Sequence, residues 1–336
     1  MSRRVTRGGS RRDVLKSAAA GSVVGLAGCS GVTGGGSSYP SEPITIVVPF
    51  AEGGGIDTYA RIISDPLSEE LSVDIEINNI PGENPVPGLN ELITNPDDSH
   101  QLGMSGHSGM VGAALIFADW DPSELTTLGA VGKLAVSCYG NRKYDWQGLN
   151  DMIERFNSGE FRQVASIGIG TPFHIAGLVA RERGNWQWEK WVPYEGAAPS
   201  TQAVVQDEVP FGMIASVVLR PHYQSDTKID IIGTLATDGD PTMPKVQSWG
   251  EAGLTSVEEV ANILISVFGP PNMPSDHQET IGEALQNIMD TNAIAEQREK
   301  TGLLIDSFAN GDELGETVSS LEEKIPNLVD LDQYRN

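Results

Sequence analysis

The chain has 336 residues, 46 acidic and 22 basic side chains and a formal net charge of −24. That balance excludes a nucleic-acid-binding surface and an attraction to anionic lipid, since like charges repel. Hydrophobic residues make up 39 % and are interspersed with the charge, which excludes a disordered acidic tail.

The first thirty residues read as an export address. Ser10-Arg11-Arg12-Asp13-Val14-Leu15-Lys16 sets a paired arginine ahead of the apolar stretch 18–27. That stretch is too short to span a bilayer core of ~30 Å. It ends in Leu26-Ala27-Gly28-Cys29, small residues before a cysteine, as a lipoprotein signal peptidase requires. Residues 1–28 thus read as a Tat lipoprotein signal peptide, Cys29 as the lipidation site and 29–38 as a flexible tether. The expected location after Tat export is outside the cytoplasm, with Cys29 anchoring the protein to the outer face of the cytoplasmic membrane. One acyl chain anchors only marginally, so this requires a diacylated Cys29 or a second contact. Without residues 1–28 the chain keeps 45 acids and 16 bases, a net charge near −29. Dense, dispersed acid with little lysine suggests a halophilic protein; an ordinary acidic secreted protein is the alternative. Beyond Cys29 only Cys138 remains, so no disulfide forms within the mature chain. Cys138 lies in the apolar run 134–139 and reads as a packed thiol in a buried strand.

Short apolar strands then alternate with helical segments. Ile44-Thr45-Ile46-Val47-Val48 reads as a buried strand, and Ala60, Ile63, Leu67 and Leu71 recur at helical spacing. Strands follow at 73–77 and 101–105, then at 164–167, 211–214 and 229–235, with helices at 174–183 and around Ile281, Leu285, Ile288 and Met289. This alternation predicts an α/β fold of parallel sheets with helices on both faces. About 300 mature residues suggest two lobes. No second long apolar run occurs, so the body reads as soluble.

Ligands of α/β sheets bind in the loops leaving the strand ends. Pro49-Phe50-Ala51-Glu52-Gly53-Gly54-Gly55-Ile56-Asp57 joins a strand to a helix. Its glycines let backbone N–H groups approach a ligand, and a helix N-terminus favours an anion. It lacks the Lys and Ser/Thr of a P-loop. A glycine turn with no ligand, and Asp57 as a mere helix cap, are the plain alternatives. Phe50, Ala51, Gly54, Gly55 and Asp57 are the candidates here. The second loop, Gly168-Ile169-Gly170-Thr171-Pro172-Phe173-His174, offers Gly170, Thr171 and His174. Thr171 can cap a helix or donate to a carboxylate, and a histidine in the place of His174 more often packs or caps than catalyses. In the third, 191–200, Tyr194 offers a wall and a hydroxyl, and Gly196 and Ala197 offer N–H groups ahead of another helix. In the fourth, 104–109, the donors are Ser105 and His107.

These segments together carry a resemblance. Tyr39-Pro40-Ser41-Glu42-Pro43-Ile44, followed by the run from Val48-Pro49-Phe50 to Tyr59-Ala60-Arg61, resembles the opening of Bug-type extracytoplasmic solute receptors of tripartite tricarboxylate transporters. Asn79-Ile80-Pro81-Gly82, 170–174, Val192-Pro193-Tyr194-Glu195-Gly196, Gly250-Glu251-Ala252-Gly253 and the turn 268–274 follow in the family's order. The sequence departs from the family pattern at 83–88 and 96–100. The resemblance covers 39–330. It implies a two-lobed periplasmic-binding-protein-like (Venus flytrap) fold with the cleft between lobes, lobe 1 being 39–130 and 265–336 and lobe 2 being 131–264.

The expected function is therefore a lipid-anchored binding protein that delivers a small carboxylate to membrane permease subunits. A ligand-sensing subunit of a signalling receptor is the alternative. No catalytic residue, metal or cofactor is expected: a hydrolase built on His174 and Asp57 would lack a nucleophile elbow, and no metal-spaced set of His, Cys and Glu occurs. The four loops contain no Lys or Arg. A helix N-terminus offers only about half a unit of positive charge. A mono- or dicarboxylate is therefore expected rather than citrate, or an amino acid whose ammonium meets Asp57 or Glu195.

Overall fold

The computed structural model describes residues 39–335, apart from 83, 224, 226, 237, 238, 255, 256, 302 and 306–308. The export signal, the tether and Cys29 lie outside the described residues. In chain order the elements are β1 (Ile44–Val48), α1 (Gly55–Leu71), β2 (Ile75–Asn79), α2 (Val86–Thr94), β3 (Gln101–Gly106), α3 (His107–Phe117) and β4 (Thr126–Leu134). Next come β5 (Val136–Asn141), α4 (Leu149–Asn157), β6 (Gln163–Ile167), α5 (Pro172–Arg183), β7 (Lys190–Tyr194), α6 (Ala197–Val205), β8 (Phe211–Ala215), α7 (Ser216–Tyr223), β9 (Ile229–Thr234) and α8 (Glu258–Ala261). The chain closes with β10 (Ile263–Gly269), α9 (Ser275–Met289), α10 (Asn292–Thr301), β11 (Ala309–Asn310) and α11 (Gly311–Leu328).

These strands form two sheets, one per lobe. The first has the order β11-β4-β10-β3-β1-β2 and the second β7-β6-β8-β5-β9. Strand β1 pairs in parallel with β2 and β3, and β6 with β7 and β8. The α/β fold is as expected, but the expectation of parallel sheets is corrected to mixed ones. Strands β10 and β4 run antiparallel in the first sheet, and β5 runs antiparallel to both neighbours in the second. The physical reason is the crossing. Strand β4 leaves one sheet and, after Ala135 alone, continues as β5 in the other, and β10 brings the chain back. A chain that departs along one strand and returns along its neighbour places the two antiparallel. The expected lobe boundaries at 130/131 and 264/265 fall inside β4 and β10; the sheets change at Ala135 and just before Ile263.

Burial follows sequence pattern. In β1, Ile44, Ile46, Val47 and Val48 are fully buried, because helices cover both faces of its sheet. Helix α1 buries Ile56, Tyr59, Ala60, Ile63 and Leu67, one stripe at helical spacing. Helix α11 starts at a capping box, Asn310 accepting from the Glu313 N–H while the Glu313 carboxylate accepts from the Asn310 N–H. The second lobe centres on Trp146, Phe156, Phe161, Trp186 and Phe211, whose neighbouring ring centroids lie 4.8 to 6.0 Å apart. Burying each such ring stabilises the fold by ~1.5–3 kcal/mol. Cys138 is fully buried and unpaired in β5, and burial pushes its thiol pKa far up, as a packing role requires. Among the described residues no helix is long and apolar enough to cross a membrane.

Behind the hinge the lobes meet through α3 and α5. Helix α3 is apolar almost all round, with nine of its eleven residues buried, because it lies between its own sheet and α5. Gly109 makes the close approach possible: a Cβ there would stand 2.0 Å from Pro172 Cδ.

Candidate ligand cleft

A cavity of about 260 Å³ lies between the lobes. Its first wall is the β1–α1 loop. Gly54 is the N-cap residue of α1 and supplies no side chain to the helix end. The first intrahelical bond runs from the Thr58 N–H to the Gly54 carbonyl, 3.0 Å. The N–H groups of Gly55, Ile56 and Asp57 precede it, at the positive end of the helix dipole. Gly55 reaches the crossing strand: a Cβ there would stand 2.8 Å from Leu134 Cδ1 and 3.3 Å from Ala215 Cβ.

Asp57 holds this loop in shape. One oxygen accepts from the Gly53 N–H at 2.8 Å and from Arg61 Nε at 2.9 Å, and the other from Asn79 Nδ2 at 3.0 Å. The same Asn79 amide also donates to the Phe50 carbonyl, 3.0 Å. Burial works against the charge, but the Arg61, Gly53 and Asn79 hydrogen bonds outweigh it and hold the carboxyl below its usual range.

The facing wall comes from the second lobe. Helix α6 begins at Ala197 after the N-cap residue Gly196, again with no side-chain cap. Its first intrahelical bond, Ser200 N–H to Gly196 carbonyl, is 3.3 Å long, so the N–H groups of Ala197 and Ala198 precede it. The two loops nearly touch, for a Cβ on Gly196 would stand 3.7 Å from Ala51 Cβ. Two uncapped helix N-termini, one per lobe, therefore border one cavity.

Of the residues singled out from sequence, Phe50, Ala51, Gly54, Gly55, Gly196 and Ala197 line this cavity. The others lie off its wall. Asp57 is consumed inside its loop, as described. Ser105 and His107 are buried at the β3–α3 junction, where His107 Nδ1 accepts from the Leu264 N–H at 3.0 Å and burial lowers the ring's pKa to about 4. Thr171 caps α5, its hydroxyl oxygen accepting from the His174 N–H at 3.4 Å. Gly170 donates its N–H to His174 Nδ1, 3.2 Å. His174 is fully buried against Trp191 and Tyr334, at 5.1 and 4.7 Å between centroids. Burial and, behind it, the Arg181 charge lower its pKa to about 3. Tyr194 ends β7 half-buried, away from the cavity.

Sequence reasoning missed much of the apolar wall: Pro81, Leu134, Ile167, Phe173, Ala215 and Val218. Ile167 and Ala215 end strands β6 and β8, so the strand-end rule could have found them. Leu134 carries no local signal, because its place depends on the crossing. Among the described residues no cluster of His, Cys, Asp or Glu is arranged to hold a metal.

Comparison with known proteins agrees with this geometry. The chain is 27 % identical over 275 residues to a UPF0065 protein from the tcbD–tcbE intergenic region of Pseudomonas sp. strain P51, covering 79 % of each. It is 24 % identical over 270 residues to BugT of Bordetella pertussis, covering 77 % of this chain and 81 % of that one. Among solved structures it is similar to MatC of Rhodopseudomonas palustris, solved with malate bound, with a TM-score of 0.77, 22 % identity and coverage of 87 % and 100 %. The periplasmic binding protein BugD gives a TM-score of 0.75 at 19 % identity, with coverage of 86 % and 97 %. An R. palustris protein solved with adipate gives 0.75 at 17 %, with coverage of 86 % and 97 %. These likenesses place the two lobes in a Venus-flytrap fold. The model of the tripartite tricarboxylate transporter family receptor matches residues 59–313. The chain belongs to that family of receptors and is a solute-binding protein rather than an enzyme.

Proposed function

We propose that this protein captures a small organic carboxylate outside the cytoplasm and delivers it to the membrane permease subunits of a tripartite transporter. The observation that carries this reading is the pair of uncapped helix N-termini, α1 and α6, facing one cavity from opposite lobes. Each offers unpaired N–H donors and about half a unit of positive charge. A carboxylate held between them bridges the lobes. Because it touches both loops only when the cleft is shut, it binds the closed state more tightly and shifts the open–closed equilibrium. No bond is made or broken. The family assignment and the malate and adipate held by the similar R. palustris proteins support a carboxylate as the ligand. Cys29 as a lipid anchor after Tat export completes the proposal, because delivery needs the receptor close to its permease.

Titration calorimetry of the mature protein against carboxylates and their uncharged amides tests the ligand class. Saturable binding of acids and not of amides is expected; binding of neither removes the reading. Cys29→Ala tests the anchor: the variant is expected in the soluble fraction, and continued membrane attachment removes that part. The charge near −29 also predicts a melting temperature that rises between low and molar salt, as the Debye length shrinks to ~3 Å. A flat profile argues against salt adaptation.

A further inference from the structure

Resting on the carboxylate reading above, we infer that the cleft selects monocarboxylates with an apolar body and rejects acids that carry a second charged group. The wall decides this. Among the described residues that line the cavity, only Glu52 and Glu195 have polar side chains. Among the described residues no hydroxyl, amide, imidazole, lysine or arginine faces it, so every hydrogen-bond donor they offer to the cavity is a backbone N–H. The rest of the described wall is largely hydrocarbon, including Phe50, Pro81, Leu134, Ile167, Phe173 and Val218.

One carboxylate therefore finds donors, and the rest of the ligand meets hydrocarbon. A carboxylate that bridges both helix ends takes up their donors, so a second one would be stripped of water with no donor to replace it, the costliest way to bury a polar group. Both ionisable groups among the described wall residues, Glu52 and Glu195, are acids, so the repulsion adds to that cost. An ammonium fares little better. Glu52 lies 3.7 Å from Arg61, and Glu195 is exposed rather than set beside a buried carboxylate subsite. An aromatic or a six-carbon aliphatic acid combines one carboxylate with an apolar body.

The test uses ligands matched in length. Hexanoate and adipate differ only in the far carboxylate, and hexanamide lacks the near one. Titrated into the mature protein by calorimetry, hexanoate and phenylacetate are expected to bind at least about tenfold more tightly than adipate, leucine or hexanamide. Adipate or leucine binding as tightly as hexanoate overturns the selectivity while leaving the carboxylate site in place. No response to any acid overturns both. Hexanamide matching hexanoate overturns the carboxylate reading itself. As a second measurement, Glu195→Gln on the exposed rim is expected to narrow the hexanoate-to-adipate ratio. An unchanged or wider ratio counts against the acidic rim as part of the filter.

Discussion

Two strand-to-helix turns, one in each lobe, look alike in sequence and have opposite fates. Gly53-Gly54-Gly55 leads from β1 into α1, and Gly168-Ile169-Gly170-Thr171-Pro172 leads from β6 into α5. Both are glycine-rich and both stand at the end of a parallel strand. The first leaves its helix N–H groups without a side-chain cap, and they border the cavity. The second is closed from within: Thr171 takes one N–H, Pro172 has none to offer, and His174 accepts another from Gly170. Glycine supplies access to a helix N-terminus, but capping decides whether a ligand or the chain itself uses it. The first turn should therefore respond to mutation through binding, and the second through stability.

The largest expected effect tests the second turn, together with the β3–α3 junction packed against it, with pH. His107 and His174 are buried and neutral, with pKa values lowered to about 4 and about 3. Unfolded histidines titrate near 6.5, so below that pH the unfolded chain binds more protons than the folded one. Stability is full above about pH 7 and falls by about 1.4 kcal/mol per pH unit for each histidine on acidification. Urea melts at pH 7, 6 and 5 should show a loss of about 3–4 kcal/mol over that range. His174→Phe, which keeps a ring against Trp191, should remove about half of it. A stability that does not change with pH would show that these imidazoles are not held neutral.

Gly109→Val follows. Its first side-chain atom would overlap Pro172 at 2.0 Å, including the backbone nitrogen at 2.5 Å, so α3 and α5 must separate. Overpacking against backbone should cost about 3 kcal/mol in chemical denaturation. A loss under 1 kcal/mol, on the same scale at about a third of that cost, would mean that α3 and α5 can slide freely. The converse test is Gly55→Val in the first turn. The nearest obstructing atom there is a terminal methyl of Leu134, which can give way, and Ala215 Cβ at 3.3 Å needs a shift of only a few tenths of an ångström, so the fold should lose less than at Gly109. The cleft, however, would close less fully, and ligand affinity should fall about tenfold, about 1.4 kcal/mol. Equal damage to stability and binding would erase the contrast between the turns. The smallest effect is Thr171→Ala, where a long capping bond of 3.4 Å is lost. About 0.5–1 kcal/mol of stability should go, with affinity unchanged; a change in affinity alone would place Thr171 in the cleft.

Much of the fold was legible from local pattern. The apolar run of β1, the helical stripe of α1 and the late helix α9 follow from side-chain periodicity, which backbone geometry imposes directly. The cleft loops 50–55 and 196–197 were legible because glycine before a helix has few purposes. The loops 104–109 and 168–174 carry the same signals, yet meet each other at Gly106, Gly109 and Pro172, and the second reaches the cavity only through Pro172 and Phe173. Whether such a loop faces ligand or protein depends on what stands opposite it, and that partner is over sixty residues away in sequence.

By itself the sequence determined the family, the alternation of strands and helices, and the absence of cationic side chains from the candidate loops, since these depend on residue identity and short spacing. Only the tertiary structure decided that β4 and β5 are nearly one continuous strand shared by two sheets, which makes the sheets mixed. It alone set Leu134 against Gly55, turned His107 and His174 inward, and closed Asp57 into its loop with Arg61 and Asn79. The physical reason is common to all of these: burial and hydrogen-bond partnership are properties of the space around a side chain, and long-range chain crossings create that space.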